Sequence, residues 1–302
     1  MSNYNIGIYA NGLFVDTPIP LQTQLQQISS AGFSTVLFWS LHVHPNGAFY
    51  YNNTLLVQNG EVMISQEFIS LAQQLKTPGI VKTVLFSIGA WGTSSDFQNI
   101  ITNIPLAVKN FKALINTLGI DGFDFDYEGD YTPADQKNIT TITELLYSLG
   151  MKVTYCPYTA QDWWLGCLQQ VYARNKQQLV SGYNLQCYAG GAGNDPLQWA
   201  QYIQSSGLPT GIVDAAGFVL PGYWVQQTGS GDGQCPTTMQ QTFASFSGKG
   251  LAGGWCWNTG DVFTNETTGL CGSQQTLPAN YAQAITAGLS SKLKTGIAVV
   301  AE

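Results

Sequence analysis

The chain has 302 residues, a net charge of −7 and only 10% charged residues, against 44% hydrophobic and 12% aromatic residues. This apolar content is ample for a packed core and excludes a disordered chain. Because the chain is acidic and has no runs of Lys or Arg, we expect no nucleic-acid partner. Because no apolar run approaches about 20 residues, we expect no membrane partner either.

Short apolar segments alternate with longer segments of helical spacing along the whole chain. The segments that predict strands are residues 5–10, 35–43, 83–89, 119–127, 152–156, 183–188, 215–220 and 253–257. The segments that predict helices are residues 20–30, 66–75, 96–118, 135–149, 162–175, 195–206, 237–246 and 278–293. Such alternation is typical of parallel βαβ units. Repeated eight times within the 302 residues, it predicts an α/β protein with a single (β/α)8 TIM barrel, a fold of about 250 residues.

We therefore expect one catalytic barrel over residues 1–302, with residues 294–302 as a tail that could lie beyond it. The alternative is a doubly wound sheet with a small second domain. That fold would need a Gly-rich phosphate-binding turn after the first strand, and the segment Tyr9-Ala10-Asn11-Gly12 is not one.

Three carboxylates, Asp124, Asp126 and Glu128, recur at alternate positions in one predicted strand. Alternation places them on one face of the strand, and in a closed barrel that face is the lumen. Like charges in a dry interior cannot all stay ionised, so at least one pKa must rise. This is the arrangement that general acid catalysis needs, and Glu128 lies nearest the carboxyl end of the strand, where barrel active sites open.

Two other interpretations of these carboxylates remain. One is an edge strand with its acidic side chains in water. The other is a calcium loop of the EF-hand type, which would need a preceding helix and a Glu at its twelfth position, where this chain has Asp135. We expect no metal and no cofactor.

Other motifs are sparse. His42 and His44 are the two histidines, so no His-based triad or zinc site fits readily, and they are interpreted as substrate contacts or hydrogen-bonded loop residues. The six cysteines include no C-x-x-C pair, and disulfides are not required in a chain of this size. Cys235 and Cys271 both lie in loops rich in Gly, Thr and Ser, and they are the pair to test first for a disulfide bond.

The segment Asp121–Glu128 (DGFDFDYE) resembles the D-G-x-D-x-D-x-E signature of glycoside hydrolase family 18, which contains chitinases and endo-β-N-acetylglucosaminidases. Further segments resemble that family in order along the chain. Ser87–Ala90 (SIGA) is similar to its S-x-G-G motif on the third strand, and Gln186–Tyr188 (QCY) to the Q-x-Y motif of the class III chitinase branch. Gly253–Trp257 (GGWCW) is similar to its eighth-strand segment.

The resemblance implies retaining hydrolysis in which the substrate's own 2-acetamido group is the nucleophile. Glu128 would protonate the glycosidic oxygen. Asp126 would hold the acetamido N–H and stabilise the developing positive charge, while Asp124 shares a proton with Asp126. Tyr188 would donate a hydrogen bond to the acetamido oxygen.

The resemblance also implies substrate-binding roles for Gln186, at the acetamido group, and for Trp257, beneath the reacting sugar. Tyr9 lies where the family has a first-strand Tyr. Two positions depart from the family pattern. Ala189 follows Tyr188 where relatives have Asp or Asn, and Ala90 replaces the last Gly of S-x-G-G.

The expected substrate is a β-1,4-linked N-acetylglucosamine polymer, such as chitin or its oligosaccharides. The alternatives are an endo-β-N-acetylglucosaminidase acting on N-glycans or peptidoglycan-type sugars, and a carbohydrate-binding protein without catalysis. Aromatic residues expected to line the cleft are Trp39, Trp91, Trp163, Trp164, Tyr223 and Trp224. We expect a monomer. The chain begins Met-Ser-Asn-Tyr, without the regions of a secretory leader, so its compartment stays open although the substrate class favours secretion.

Overall fold

The computed structural model describes residues 4–16, 19–90, 95–229 and 231–291. Trp91 and the predicted tail at 294–302 lie outside these residues.

The strands form one sheet that closes into a barrel. They are β1 (Asn5–Asn11), β2 (Thr35–Val43), β3 (Phe49–Tyr51), β4 (Thr54–Gln58), β5 (Glu61–Val62), β6 (Thr83–Gly89), β7 (Gly122–Asp126), β8 (Lys152–Tyr155), β9 (Val180–Gln186), β10 (Val219–Trp224) and β11 (Gly253–Trp257). The barrel strands follow the order β1-β11-β10-β9-β8-β7-β6-β2, and β2 pairs in parallel with β1 to close the ring. The predicted TIM barrel is confirmed.

Helices surround this ring. They are α1 (Leu21–Ser30), α2 (Gln66–Gln74), α3 (Ser95–Thr102), α4 (Ile104–Leu118), α5 (Pro133–Ser148), α6 (Gln161–Asn175), α7 (Pro196–Gln204), α8 (Ala215–Phe218), α9 (Pro236–Ala244), α10 (Thr259–Thr268) and α11 (Pro278–Leu289). No helix of the described residues combines the length and the hydropathy that a bilayer crossing requires.

Local sequence explains where several helices begin and end. Helix α5 begins with a capping box, in which the Thr132 side chain accepts from the Asp135 N–H and the Asp135 side chain accepts from the Thr132 N–H. Helix α4 ends at Gly119, whose φ of 63° lies in the left-handed region that glycine adopts without steric cost. The boundary after the predicted helix 96–118 is therefore correct.

The predicted single helix at 96–118 is wrong, because the chain forms two helices there, α3 and α4. Asn103 separates them, since its side chain accepts a hydrogen bond from the Leu106 N–H and caps α4, and Pro105 follows within the first turn.

The predicted strand at 215–220 is also misplaced. Asp214 caps the short helix α8 by accepting from the Gly217 N–H, and strand β10 begins only at Val219.

Two parts of the fold were not predicted. Strands β3, β4 and β5 form an antiparallel extension that pairs with the carboxyl half of β2. Helix α10 follows β11 directly and is capped by Asn258. The extension matters for the site, because it contacts the end of β2.

One hydrophobic cluster lies between strands and helices, and a second, smaller one lies inside the barrel. The inner cluster consists of Tyr9, Leu37, Leu85, Cys156, Tyr188, Leu220 and Trp255, with Trp39, Trp224 and Trp257 packed against it. Gly222 makes room for the largest of these side chains, because a Cβ there would lie 1.9 Å from Trp255 Cε2. The lumen is therefore filled by aromatic side chains up to the level of the acidic residues.

The predicted disulfide is present. Cys235, just before α9, is bonded to Cys271, which follows α10. The other four cysteines are free and buried.

Candidate active site

Strand β7 separates its aromatic and acidic side chains, as its alternation predicts. Phe123 packs on Phe111 of α4 (4.9 Å between ring centroids) and is completely buried. Asp124 and Asp126 point the opposite way, since their contacts come from other barrel strands. The edge-strand interpretation is therefore wrong.

Asp124 has no solvent exposure and accepts four hydrogen bonds from four different strands. Tyr9 Oη (2.8 Å) and Ser87 Oγ (2.9 Å) donate to its Oδ2. Thr154 Oγ1 (2.6 Å) and Asn184 Nδ2 (2.9 Å) donate to its Oδ1. Burial raises the pKa of Asp124, while these four donors oppose the rise. Because both oxygens are occupied by donors, the arrangement suits the ionised carboxylate.

Asp126 lies one layer nearer the barrel mouth and is 3% exposed. Trp39 Nε1 donates to its Oδ2 at 2.9 Å, and Gln186 Nε2 donates to its Oδ1 at 3.1 Å. Burial, and then the charge of Glu128, hold the pKa of Asp126 well above its ordinary value. This carboxyl is therefore the one that the surroundings most favour in its protonated form.

Glu128 follows the end of β7 and is partly buried. Its Oε1 lies 3.4 Å from Gln186 Nε2, which also donates to Asp126 Oδ1, so one amide bridges the two carboxyls. Burial raises the pKa of Glu128, while the bonds with Gln186 and Asp126 oppose the rise. The protonation of one carboxyl therefore depends on that of the other.

The neighbouring carboxyl that most raises the pKa of Asp126 in this structure is therefore that of Glu128. Sharing between Asp124 and Asp126, which the resemblance implied, stays a prediction for the substrate-bound state. In this structure both oxygens of Asp124 accept hydrogen bonds from other side chains.

Aromatic rings from four strands surround the acidic pair. Trp257, at the end of β11, stacks nearly parallel to Tyr188 (6.3 Å) and edge-on to Trp39 (4.6 Å). The Tyr9 ring contacts Trp257, with 5.6 Å between the ring centroids. Tyr188 is 7% exposed, and its hydroxyl forms no hydrogen bond with the part of the chain that the structure describes. This leaves a donor beside the carboxyl pair.

The two departures from the family pattern lie at strand ends. Ala189 has a φ of 47°, and its N–H donates to Asp232 Oδ2 at 2.8 Å. An aspartate from the loop after β10 thus contacts the position next to Tyr188. Ala90 is buried at the end of β6.

The predicted cleft aromatics divide into two groups. Trp39, within β2, and Trp224, the last residue of β10, are half-buried, and Trp224 donates to Asp261 Oδ2 at 2.8 Å. Trp164 and Tyr223 belong to the outer core instead, with Tyr223 packed edge-on against Phe243. Trp163 stacks on Tyr127 and donates to the carbonyl of Thr132.

Sequence reasoning missed two residues that hold Asp124, namely Thr154 and Asn184. Asn184 could have been found, because it lies two residues before Gln186 and therefore on the same face of β9. Among the described residues, no group of three or more His, Cys, Asp or Glu side chains is arranged to hold a metal ion.

No family model matches the chain, and no curated protein matches it either. Solved structures do. A GH18 chitinase from Pseudoalteromonas aurantia superposes with a TM-score of 0.65 at 17% identity, covering 94% of this chain and 100% of that one. A fungal endo-β-N-acetylglucosaminidase from glycosyl hydrolase family 18 gives a TM-score of 0.66 at 16% identity, covering 94% and 98%.

A chitinase from Bacteroides thetaiotaomicron gives a TM-score of 0.62 at 13% identity, covering 95% of this chain and 97% of that one. The likeness extends over nearly the full length of both chains in each case. These neighbours include proteins of the family that the D-G-x-D-x-D-x-E motif indicated. The chain therefore has the barrel fold of these enzymes.

Proposed function

We propose that this protein is a glycosidase of glycoside hydrolase family 18 that cleaves β-1,4 links in N-acetylglucosamine polymers, with chitin and its oligosaccharides as substrates. The observation that carries the proposal is the carboxyl pair Asp126–Glu128, bridged by the Gln186 amide at 3.1 and 3.4 Å and contacted by the Trp39 indole in a closed barrel. The likeness to chitinase structures supports it. The class III branch stays a prediction.

Glu128 is the proposed general acid. The single proton of the Asp126–Glu128 pair passes through Glu128 to the glycosidic oxygen as the bond to the anomeric carbon breaks, which leaves Asp126 ionised, and the leaving sugar departs as an alcohol. The acetamido oxygen of the same sugar attacks the anomeric carbon from the opposite face and forms an oxazolinium ion. Water, deprotonated by the Glu128 carboxylate, then attacks that carbon and restores the acetamido group, so the configuration is retained.

Asp126 is placed to stabilise the oxazolinium ion. It would accept a hydrogen bond from the acetamido N–H, and its negative charge offsets the positive charge that develops on that group. Trp39 and Gln186 hold its two oxygens in place. Preorganised groups of this kind are most effective where water is excluded, and Asp126 is almost completely buried.

The remaining residues would bind the reacting sugar. The unpartnered hydroxyl of Tyr188 is available for the acetamido oxygen, and the half-buried ring of Trp257 offers an apolar surface for a sugar face. Tyr9 is already engaged with Asp124, so its contribution would be to fix that carboxylate and pack beneath Trp257.

A second candidate is an endo-β-N-acetylglucosaminidase acting on N-glycans. It uses the same chemistry, and a fungal enzyme with that description is among the similar structures. A carbohydrate-binding protein without catalysis is less well supported, because the acid, its paired aspartate and the donors that hold them are all present.

The proposal is tested by incubating the protein with chitohexaose and, separately, with a high-mannose glycoprotein, and identifying products by mass spectrometry. We expect cleavage of chitohexaose, and a Glu128→Gln variant should be slower by about 10²–10⁴-fold. Glu144→Gln is the matched control, since Glu144 lies in α5 and pairs with Arg174 on the surface. Cleavage of the glycoprotein alone would favour the second candidate. Binding without cleavage of either substrate would contradict both.

A further inference from the structure

A second polar cluster lies one residue beyond Trp39. His42 Nε2 is 2.9 Å from Ser40 Oγ, and His42 Nδ1 is 3.2 Å from Asp96 Oδ2. Asp96, in the first turn of α3, also accepts the Val43 N–H at 2.6 Å. The fold brings Asp96 to His42 across 54 residues, a contact that the sequence analysis did not predict.

The direction of these hydrogen bonds follows from Asp96. A carboxylate only accepts, so Nδ1 of His42 carries the proton that it donates to Asp96. In the neutral ring, Nε2 is then the acceptor for the hydroxyl of Ser40. The chain of donors therefore runs from Ser40 through His42 to Asp96, in the order used by hydrolytic triads.

Burial excludes Ser40 as a nucleophile. Its side chain has no solvent exposure, so no ester or amide carbonyl can approach its hydroxyl. The backbone of Ser40 is held as well, since its N–H donates to Asn52 Oδ1 at 3.0 Å and its carbonyl accepts from the Asn52 N–H at 2.9 Å. Both the peptide groups and the side chain of Ser40 are thus fixed.

Fixing Ser40 fixes the residue before it. Trp39 precedes Ser40 in β2, donates to Asp126 Oδ2 at 2.9 Å and packs edge-on against Trp257. Trp39 lies within β2, and the register of β2 against β6 shifts between Trp39 and Leu41, so the strand ladder is irregular at Ser40. The contacts of Ser40 with Asn52 on the β3–β4 turn, and with Asp96 of α3 through His42, restrict the backbone there.

We propose that Ser40, His42 and Asp96 are positioning residues that hold Trp39, and through its indole the carboxyl of Asp126, in the orientation required for catalysis. The catalytic role of Asp126 rests on the proposed function, whereas the mechanical link from His42 to Asp126 does not. The two can therefore be tested separately.

The link is tested by carbon-13 NMR titration of the Asp and Glu side-chain carboxyls, which needs no enzymatic activity. The groups around Asp126 are the titratable Glu128, Asp124, Tyr9, Tyr131, Cys156 and Tyr188 together with the donors Trp39 and Gln186. The Trp39 donor lowers the pKa of Asp126. Loss of that donor in Trp39→Phe should move the titration of the Asp126–Glu128 pair to higher pH. His42→Ala should move it in the same direction, and should add nothing further in the Trp39→Phe background.

His42→Gln keeps an acceptor for Ser40 and should restore most of the wild-type titration. Ser40→Ala removes the same hydrogen bond with a smaller change in volume, and serves if His42→Ala does not fold. Thr143→Val is the matched control, because it deletes a buried hydroxyl bond to Tyr155 in the outer layer. It should lower the unfolding free energy without moving the titration.

The parallel kinetic prediction is a fall in kcat of about fivefold to tenfold for Ser40→Ala and His42→Ala, with little change in KM, as for the loss of one hydrogen bond at the transition state. If these variants are destabilised like Thr143→Val while the carboxyl titration stays as in the wild type, the positioning role is disproved. A normal titration pattern in a protein that cleaves no glycan would instead overturn the proposed function alone.

Discussion

Replacing Tyr9 with Phe would remove one of the four donors to Asp124 and leave the ring in place. The Tyr9 hydroxyl lies 2.8 Å from Asp124 Oδ2, and neither side chain is exposed. The ring would keep its contacts with Trp255 (4.5 Å) and Trp257 (5.6 Å). A hydrogen bond to a buried charged group contributes about 1.5–3 kcal/mol, so the variant should lose about that much free energy of unfolding at neutral pH.

The loss should also depend on pH. Burial raises the pKa of Asp124 and the Tyr9 hydroxyl opposes the rise, so its removal raises that pKa further. A carboxyl with a higher pKa in the folded chain than in the unfolded chain loses stabilisation as the pH rises from about 4 through the folded-state value. The difference between Tyr9→Phe and the wild type should therefore be largest at neutral pH and shrink toward about pH 4.

Urea denaturation at neutral pH and at about pH 4 measures this difference in unfolding free energy between Tyr9→Phe and the wild type. The control is Thr143→Val, which removes a 2.7 Å bond between two uncharged hydroxyls, Thr143 and Tyr155, and should cost about 0.5–1.5 kcal/mol at both. A loss for Tyr9→Phe that is independent of pH, or no greater than that of the control, would refute the reasoning that Asp124 is an ionised carboxylate held by its donors.

Three further predictions concern stability. Burial and Glu128 raise the pKa of Asp126, so Asp126→Asn should be more stable than the wild type at neutral pH. This gain in unfolding free energy should vanish toward about pH 4. A gain that grows in acid would contradict the direction of the pKa shift. Opening the Cys235–Cys271 bond, whose loop spans 36 residues, should cost about 4 kcal/mol by chain entropy, measured as a loss of unfolding free energy in Cys235→Ser plus Cys271→Ser. An unchanged denaturation midpoint of this double variant would contradict the chain-entropy estimate, because it would mean that the segment between the two cysteines is already restricted in the unfolded chain. Gly222→Ala places a methyl 1.9 Å from the Trp255 ring and should cost more than about 1–3 kcal/mol, and a near-neutral effect in thermal melts would mean that the ring can move.

Part of this site could be predicted from sequence because its signals are local. The alternation of Asp and Phe in β7 depends only on the two-residue period of a strand, so the inward direction of Asp124 and Asp126 followed from the sequence once a barrel was inferred. The end of α4 at Gly119 and the start of α5 at Thr132 depend on equally local signals.

The rest depends on contacts between distant residues. The donors to Asp124 come from residues 30 to 115 positions away, and they meet it only when the sheet closes. The contact between His42 and Asp96 likewise forms only when α3 packs against the carboxyl half of β2. The misplaced strand near β10 has a different cause: a short apolar segment fits a strand or a buried helix equally well, and the cap at Asp214 decides the outcome.

The central claim is that Glu128 donates a proton while the substrate's acetamido group attacks the anomeric carbon. Proton NMR of the first products released from chitohexaose tests this most directly, because the anomeric signals report the configuration before mutarotation. The account predicts newly formed reducing ends in the β configuration, which Glu128→Gln produces only at a greatly reduced rate. First-formed α anomers, or undiminished release by Glu128→Gln, would contradict it.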